Sequence, residues 1–241
     1  MRRRTLTELA NNPDLISGIY NYCDRWCERC PLTSRCLVYA TEQEDYDSSK
    51  SRDLLNEEFW RKLNSIFQEA RGMIIEWSEN AGTDRTELTH EDDTRCKRKR
   101  QLVDNHPLTR AGKKYANAAS DWFREFDYAM ENSDHVEDAR EVIQWYQYQI
   151  AVKTMRALSG RKEELEGDFE IAEFPKDSDG SAKVALIGID RSIAAWRWMQ
   201  LSLPDRSETI VSLILQLARL QQQLEKSFPE ARNFIRPGFD G

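Results

Sequence analysis

The segment Cys23-Asp-Arg-Trp-Cys27-Glu-Arg-Cys30-Pro-Leu-Thr-Ser-Arg-Cys36 contains four of the five cysteines of a 241-residue chain. Their spacing is C-x3-C-x2-C-x5-C. Thiolates are strong ligands for soft metals, and four of them bind one zinc ion or one iron–sulfur cluster. Charged residues separate the four cysteines, which is not the pattern of thiols buried in an apolar core. We therefore expect a metal site formed by Cys23, Cys27, Cys30 and Cys36.

The spacing also bears on which metal is bound. Structural zinc sites usually take their ligands from two separated C-x2-C pairs, and only Cys27 and Cys30 form such a pair here. A compact run of cysteines with an adjacent proline is typical of [4Fe–4S] sites, and Pro31 follows Cys30. The pattern favours a [4Fe–4S] cluster as the cofactor, with Zn²⁺ as the alternative. Nearby arginines would offset the negative charge of a thiolate-bound cluster.

A local structure for the segment follows from its first residues. Pro13 can begin a helix that continues to Cys30. Cys23, Cys27 and Cys30 would then lie at positions i, i+4 and i+7, which share one helical face. Pro31 would end the helix, and Cys36 would fold back from the following loop.

Two short resemblances to known families involve these cysteines. Cys23-x3-Cys27-x2-Cys30 resembles the cluster motif of radical SAM enzymes, which carry it after a barrel strand, whereas this chain shows no strand–helix alternation. The ten residues from Cys27 to Cys36 resemble the cluster loop of the endonuclease III and adenine-glycosylase family. That resemblance implies a [4Fe–4S] cluster and a cationic loop that contacts DNA phosphates. It departs at Cys23, since the family places its first cysteine six residues before the second. No helix–hairpin–helix followed by a catalytic lysine or aspartate accompanies it, so it does not extend to glycosylase activity.

The rest of the sequence predicts an all-α fold. Gly (10) and Pro (7) are few, and apolar residues recur at helical spacing with no sustained period-two alternation. We expect an antiparallel bundle of about five long helices with an N-terminal cysteine-rich metal-binding helix-loop. The predicted bundle helices are Leu54–Glu79, Pro107–Met130, His135–Leu158, Ser181–Leu203 and Glu208–Ser227.

The predicted organisation has three parts. Residues 1–40 form the metal-binding segment, residues 54–228 form the helical bundle, and residues 229–241 form a C-terminal tail. Within the bundle, residues 80–105 and 160–180 are rich in charge and lack apolar periodicity, so both are predicted to be loops.

Charge and hydropathy narrow the classes of function. The net charge is −7, so the whole molecule is not a basic nucleic-acid binder. No apolar run is long enough to span a bilayer, and no apolar stretch follows Arg2-Arg3-Arg4. We expect a cytoplasmic, bacterial protein without membrane contact, in which clustered cysteines bind metal rather than form disulfides. A metal held by four thiolates has no open position for substrate. The expected role is therefore structural, redox-sensing or docking of an unidentified protein partner.

An enzymatic function is the alternative. Arg100-x5-His106 resembles the R-x4-6-H motif of HEPN ribonucleases, helical bundles that cleave RNA without metal, and the resemblance implies catalysis by Arg100 and His106. A cluster-dependent redox protein is a second enzymatic possibility. The adjoining basic run, residues 95–100, could contact phosphates, which makes nucleic acid a second class of partner. Cys96 within this run is expected to be a surface thiol.

Two charged residues fall within the most apolar predicted helix. Asp190 and Arg191 lie between apolar residues of the segment 184–199. A buried charge is costly unless it is paired, so we expect both to be buried and ion-paired, with Lys153 and Glu141 as candidate partners.

Overall fold

The computed structural model describes residues 6–45, 90–126, 134–166 and 177–240, together with scattered helical positions between 61 and 76. This part of the chain contains helices and turns and no strand, which confirms the predicted all-α class. None of its helices is both long and apolar enough to cross a membrane. The α-helices are α1 (Leu6–Ala10), α2 (Leu37–Asp45), α3 (His90–Asp104), α4 (Pro107–Glu125), α5 (Asp134–Glu166), α6 (Asp177–Ser202) and α7 (Ser207–Ser227).

The chain divides into two compact units that are not contiguous in sequence. The first unit comprises Met1–Asn21, Arg25–His90 and Pro237–Gly241. The second comprises Tyr22–Asp24 and Glu91–Arg236. Two residues of the cysteine segment, Cys23 and Asp24, thus belong to the second unit together with helices α4 to α7.

Helices α4 to α7 of the second unit pack side by side and antiparallel. Glycines permit the close approach: a Cβ on Gly112 of α4 would lie 3.1 Å from Ala151 Cα of α5, and one on Gly188 of α6 would lie 3.0 Å from the Tyr146 ring. The antiparallel direction of α5 and α6 follows from the residues that contact each other along the two helices. Arg156 of α5 contacts Asp177 at the start of α6, whereas Tyr146, earlier in α5, contacts residues later in α6.

Large aromatic side chains fill the core between these helices. Trp196 of α6 is fully buried, and its Nε1 donates a hydrogen bond to the hydroxyl of buried Tyr115 of α4 at 2.9 Å. The Trp122 ring meets Trp196 edge-on at 5.1 Å between centroids, and its Nε1 donates to Thr209 Oγ1 of α7 at 3.0 Å. Each such side chain contributes about 1.5–3 kcal/mol through burial, and its polar atom is satisfied.

The prediction of a loop over residues 80–105 is wrong for its second half, because α3 occupies His90–Asp104. The sequence of α3 contains no Gly or Pro and is rich in Arg and Lys, which have high helix propensity. Periodicity cannot reveal this helix, since most of its positions are polar and exposed. Residues 80–89 lie outside the described residues.

Other boundaries also differ from the prediction. Helix α5 continues to Glu166 and α6 begins at Asp177, so the predicted loop at 160–180 is helical at both ends. Helix α4 ends at Glu125, five residues before its predicted end. The predicted helix Leu54–Glu79 lies mostly outside the described residues, although its described positions are helical. The count of five bundle helices therefore remains a prediction.

The C-terminal tail begins with residues that belong to the second unit. Phe228, Ala231 and Phe234 are buried, and residues 231–233 form a 3₁₀ turn that packs against α6. Arg232 contacts Asp190 of α6 at 2.6 Å and Glu225 of α7 at 2.8 Å. Apolar burial and ion pairs both fasten this part of the tail to the bundle.

Candidate functional site

The cysteine segment is not a helix. It contains two single 3₁₀ turns, at Cys27–Arg29 and Thr33–Arg35, and a third, Ile19–Asn21, precedes it. Gly18 and Arg25 have left-handed backbone angles, with φ of 71° and 58°. A right-handed helix cannot pass through such residues. The predicted helix from Pro13 to Cys30 is therefore wrong, and so is the shared helical face of Cys23, Cys27 and Cys30.

Backbone hydrogen bonds close the segment on itself within the first unit. Ile16 N donates to Arg35 O at 2.9 Å, and Arg35 Nε donates to Asp14 O at 3.3 Å. The Arg29 guanidinium lies 4.3 Å from the ring centroid of buried Trp26. Two arginines expected to offset cluster charge thus also hold the local fold.

Cys30 and Cys36 share a turn geometry, and Cys27 begins the turn that Cys30 ends. Cys30 N donates to Cys27 O, and Cys36 N donates to Thr33 O, each at 3.2 Å. Both Cys30 and Cys36 follow a 3₁₀ turn in extended conformation. Residues three apart in a 3₁₀ turn nearly eclipse each other, so Cys27 and Cys30 start from the same side of their turn.

None of the five cysteines forms a disulfide; the four of the segment are partly exposed, and Cys96 is exposed, as expected of a surface thiol. Across the described ranges, no three His, Cys, Asp or Glu side chains are gathered closely enough to hold a metal ion. Cys23 belongs to the second unit, and Cys27, Cys30 and Cys36 belong to the first. The donor set suits a soft metal, but the four-cysteine site remains a prediction from spacing.

Asp24, the neighbour of Cys23, is the centre of a polar cluster in the second unit. Its Oδ2 accepts hydrogen bonds from the Tyr146 hydroxyl of α5 at 2.5 Å and from Arg191 of α6 at 2.6 Å. Its backbone carbonyl accepts from Trp145 Nε1 at 2.9 Å and from the Gln149 amide. We call these five residues the Asp24 clamp. It attaches the backbone at Asp24 to two helices of the bundle.

The electrostatics of the Asp24 clamp fix the direction of its hydrogen bonds. Burial, together with the adjacent Asp24 carboxylate, raises the pKa of Tyr146 far above its usual value of 10.0. The Tyr146 hydroxyl therefore keeps its proton at neutral pH and donates it to Asp24. The same hydroxyl accepts a hydrogen bond from Arg191, so both polar capacities of this buried group are used.

Tyr22, on the other side of Cys23, is a second attachment point. Its ring lies 4.8 Å from that of Phe234, and the space it occupies exists because residue 180 of α6 is glycine. Burial and the nearby Asp177 carboxylate raise the pKa of Tyr22 to about 12. Lys183 Nζ donates to Phe234 O at 2.5 Å, which holds the tail against this ring. Cys23 is thus flanked by two residues fixed to the bundle.

Part of the Asp24 clamp could be predicted from the sequence. Arg191, a charge within an apolar helix, is paired as predicted, but its partner is Asp24, and Asp190 pairs with Arg232. The predicted burial of Asp190 and Arg191 is wrong, since both lie at exposed positions on α6. Tyr146 and Asp24 were not singled out, because nothing local in the sequence connects residues 122 positions apart.

Arg100 and His106 occupy the junction of α3 and α4. His106 is the N-cap of α4, and its Nδ1 accepts a hydrogen bond from Leu108 N at 3.2 Å. Arg100 is exposed on α3. The imidazole therefore has a structural role at the helix start, whether or not it has a catalytic one.

Comparison of the chain with protein-family models, curated proteins and solved structures finds no match. A function can accordingly be proposed only from the chemistry of the chain itself.

Proposed function

We propose that Cys23, Cys27, Cys30 and Cys36 bind a [4Fe–4S] cluster, with Zn²⁺ as the alternative, and that the protein has a structural, redox-sensing or partner-docking role. The observation that carries this proposal is the C-x3-C-x2-C-x5-C spacing of four thiols within fourteen residues. Four thiolates saturate the metal, so the bound group would stabilise structure or respond to redox state rather than bind a substrate.

In the part of the first unit that the structure describes, few large apolar side chains are buried, and this supports a metal there. Among the described residues of this unit, the buried large apolar side chains are Leu9, Ile19 and Trp26. Single 3₁₀ turns hold most of the segment that follows, and each leaves few backbone hydrogen bonds. Small units with little apolar burial commonly depend on disulfides or metals. Since the cysteines form no disulfide, metal binding is the stabilisation that their chemistry offers.

The attachment of Cys23 also favours a ligand role. Tyr22 and Asp24 hold the backbone on both sides of this thiol. A ligand whose backbone is already fixed loses less conformational entropy when it binds. The remaining thiols would close on the ion together with it, so metal binding would be coupled to ordering of the segment.

The experiment that tests the proposal compares two single substitutions after anaerobic purification. Cys27→Ser removes one thiolate, and we expect it to abolish or strongly reduce bound metal. Cys96→Ser removes an exposed thiol outside the segment and serves as the matched control. Metal content equal to the wild type in Cys27→Ser, or equally reduced in both variants, would contradict the assignment.

The identity of the metal separates the possible roles. Visible charge-transfer absorption that bleaches reversibly with dithionite would indicate a cluster and favour redox sensing. A colourless protein with about one zinc per chain would favour a structural or partner-docking role, because Zn²⁺ has no redox chemistry.

A further inference from the structure

A second feature of the molecule is the basic charge at the junction of α3 and α4. Residues 95–114 contain eight Lys or Arg residues and a single acidic one, Asp104, in a chain whose net charge is −7. We call residues 95–114 the basic hairpin. Residues 95–114 thus carry an excess of seven positive charges; with Glu91, Asp92 and Asp93, which precede them on α3, the excess is four, still opposite in sign to the charge of the whole protein.

The basic hairpin is a rigid support for these charges. Only Asn105 and His106 separate the two helices, and His106 caps α4. Val103 at the end of α3 and Leu108 at the start of α4 are buried. Lys113 Nζ lies 3.3 Å from Asp104 Oδ1, which joins the two helices with an ion pair. The backbone at the junction is therefore fixed without any ligand.

The basic side chains point into solvent from both helices. Arg98 and Arg100 are exposed on α3, and Arg110 and Lys114 are exposed one turn apart on α4. Residues 94–98 of α3 are exposed at five successive positions, which is more than one full turn. This part of α3 therefore presents all its sides to solvent instead of packing one face on the bundle.

We propose that the basic hairpin binds duplex DNA, with α3 in the major groove and the basic residues of α4 on the flanking phosphates. The major groove of B-DNA admits an α-helix, and such a helix must be accessible on most of its sides. Lys and Arg neutralise phosphates and release counterions.

The composition of the hairpin favours nucleic acid over an anionic membrane. Helices that lie on membranes carry a broad apolar face opposite their basic face. Among residues 94–114, all of which are described, Leu102 is the large apolar residue whose side chain is strongly exposed, with 56% of its surface accessible. One exposed leucine does not provide an apolar face.

The test is fluorescence anisotropy of a labelled random-sequence DNA duplex with the full-length protein between about 50 and 200 mM salt. We expect the logarithm of the association constant to fall linearly with the logarithm of the salt concentration. The slope should be about −0.9 for each phosphate that the protein neutralises. The variant Arg98→Glu/Arg100→Glu should reduce this slope by about two and weaken binding about tenfold or more. The matched control, Arg197→Glu/Arg219→Glu, makes the same charge change at exposed positions of α6 and α7.

Several results would overturn the proposal. These are absence of duplex binding at the lowest salt, equal loss of binding in the control variant, and binding to A-form RNA or to phosphatidylserine vesicles in place of the duplex. Circular dichroism of both variants checks that they fold. Hydrogen exchange provides an independent readout, because DNA should increase protection of residues 94–102 and leave that of α7 unchanged. Equal protection of residues 94–102 with and without DNA would contradict binding through α3.

Discussion

Substitution of Asp24 by alanine should destabilise the protein, because it removes the acceptor at the centre of the Asp24 clamp. The buried Tyr146 hydroxyl would lose the carboxylate that accepts its proton at 2.5 Å. Arg191 would lose an ion-pair partner at 2.6 Å. The backbone hydrogen bonds to the Asp24 carbonyl would remain available, so the substitution tests the carboxylate alone.

The magnitude follows from the exposure of each partner. Leaving a buried hydroxyl without its acceptor costs about 1–3 kcal/mol. Arg191 is 53% exposed, so its ion pair contributes only about 0–1 kcal/mol. We therefore expect the free energy of unfolding to fall by about 2–3 kcal/mol. At about 2–4 °C per kcal/mol for a chain of this size, Tm should fall by about 5–10 °C.

The assay is urea denaturation followed by tryptophan fluorescence, with the Tm from circular dichroism. Trp145 Nε1 donates to the Asp24 carbonyl, so Trp145 contributes a change from the Asp24 clamp to the summed emission of the seven tryptophans. Asp14→Ala is the matched control, since it removes an exposed carboxylate and should change the free energy of unfolding by less than about 0.5 kcal/mol.

A double-mutant cycle makes this prediction specific. Tyr146→Phe removes only the hydroxyl that donates to Asp24. If the two groups interact as the geometry indicates, the effects of Asp24→Ala and Tyr146→Phe should be non-additive by about 0.5–3 kcal/mol. A loss below about 0.5 kcal/mol for Asp24→Ala, or full additivity, would refute the reasoning.

Two further substitutions test the packing and the pH response of the second unit. Gly180→Ala would place a Cβ 2.7 Å from Phe234 Cζ and against the Tyr22 ring, so it should destabilise the protein by about 1–3 kcal/mol. Gly72→Ala is the control, because no atom lies within 4 Å of its Cβ and it should not destabilise the protein. Equal effects of the two substitutions would contradict this packing. Burial lowers the pKa of His106 below 6.5, so the free energy of unfolding should fall as the pH drops below 6.5, where the unfolded chain binds a proton that the folded chain resists. His106→Asn keeps a helix cap and should remove this component, and an unchanged pH profile would contradict it.

The sequence predicted the bundle helices well where one face is apolar. The starts of α4 and α7 lie within one residue of the predicted positions, because Pro107 and the polar residues after Pro204 mark clear helix beginnings. Helix α3 was missed, since its residues favour a helix by propensity while its pattern shows no buried face. The periodic pattern of apolar residues reveals a helix that packs against a core, but it does not reveal a helix that is exposed.

The candidate site was predicted less completely. The cysteine spacing was evident, but the left-handed angles at Gly18 and Arg25 that prevent a helix were not. Arg is an uncommon residue at positive φ, so its conformation depends on contacts distant in sequence. The same is true of Asp24, whose partners lie on α5 and α6. The local sequence pattern shows which residue types could be ligands, whereas contacts between residues distant in sequence determine the backbone conformation that positions them.

The central claim is that Cys23, Cys27, Cys30 and Cys36 bind a metal. The most direct test is anaerobic purification of the wild-type protein, followed by determination of iron, sulfide and zinc per chain and by an absorption spectrum. A cluster bound by four thiolates predicts about four irons and four sulfides per chain with broad visible absorption, and the alternative predicts about one zinc without colour. Protein that contains neither metal and fails to take up either one on anaerobic reconstitution would contradict the claim.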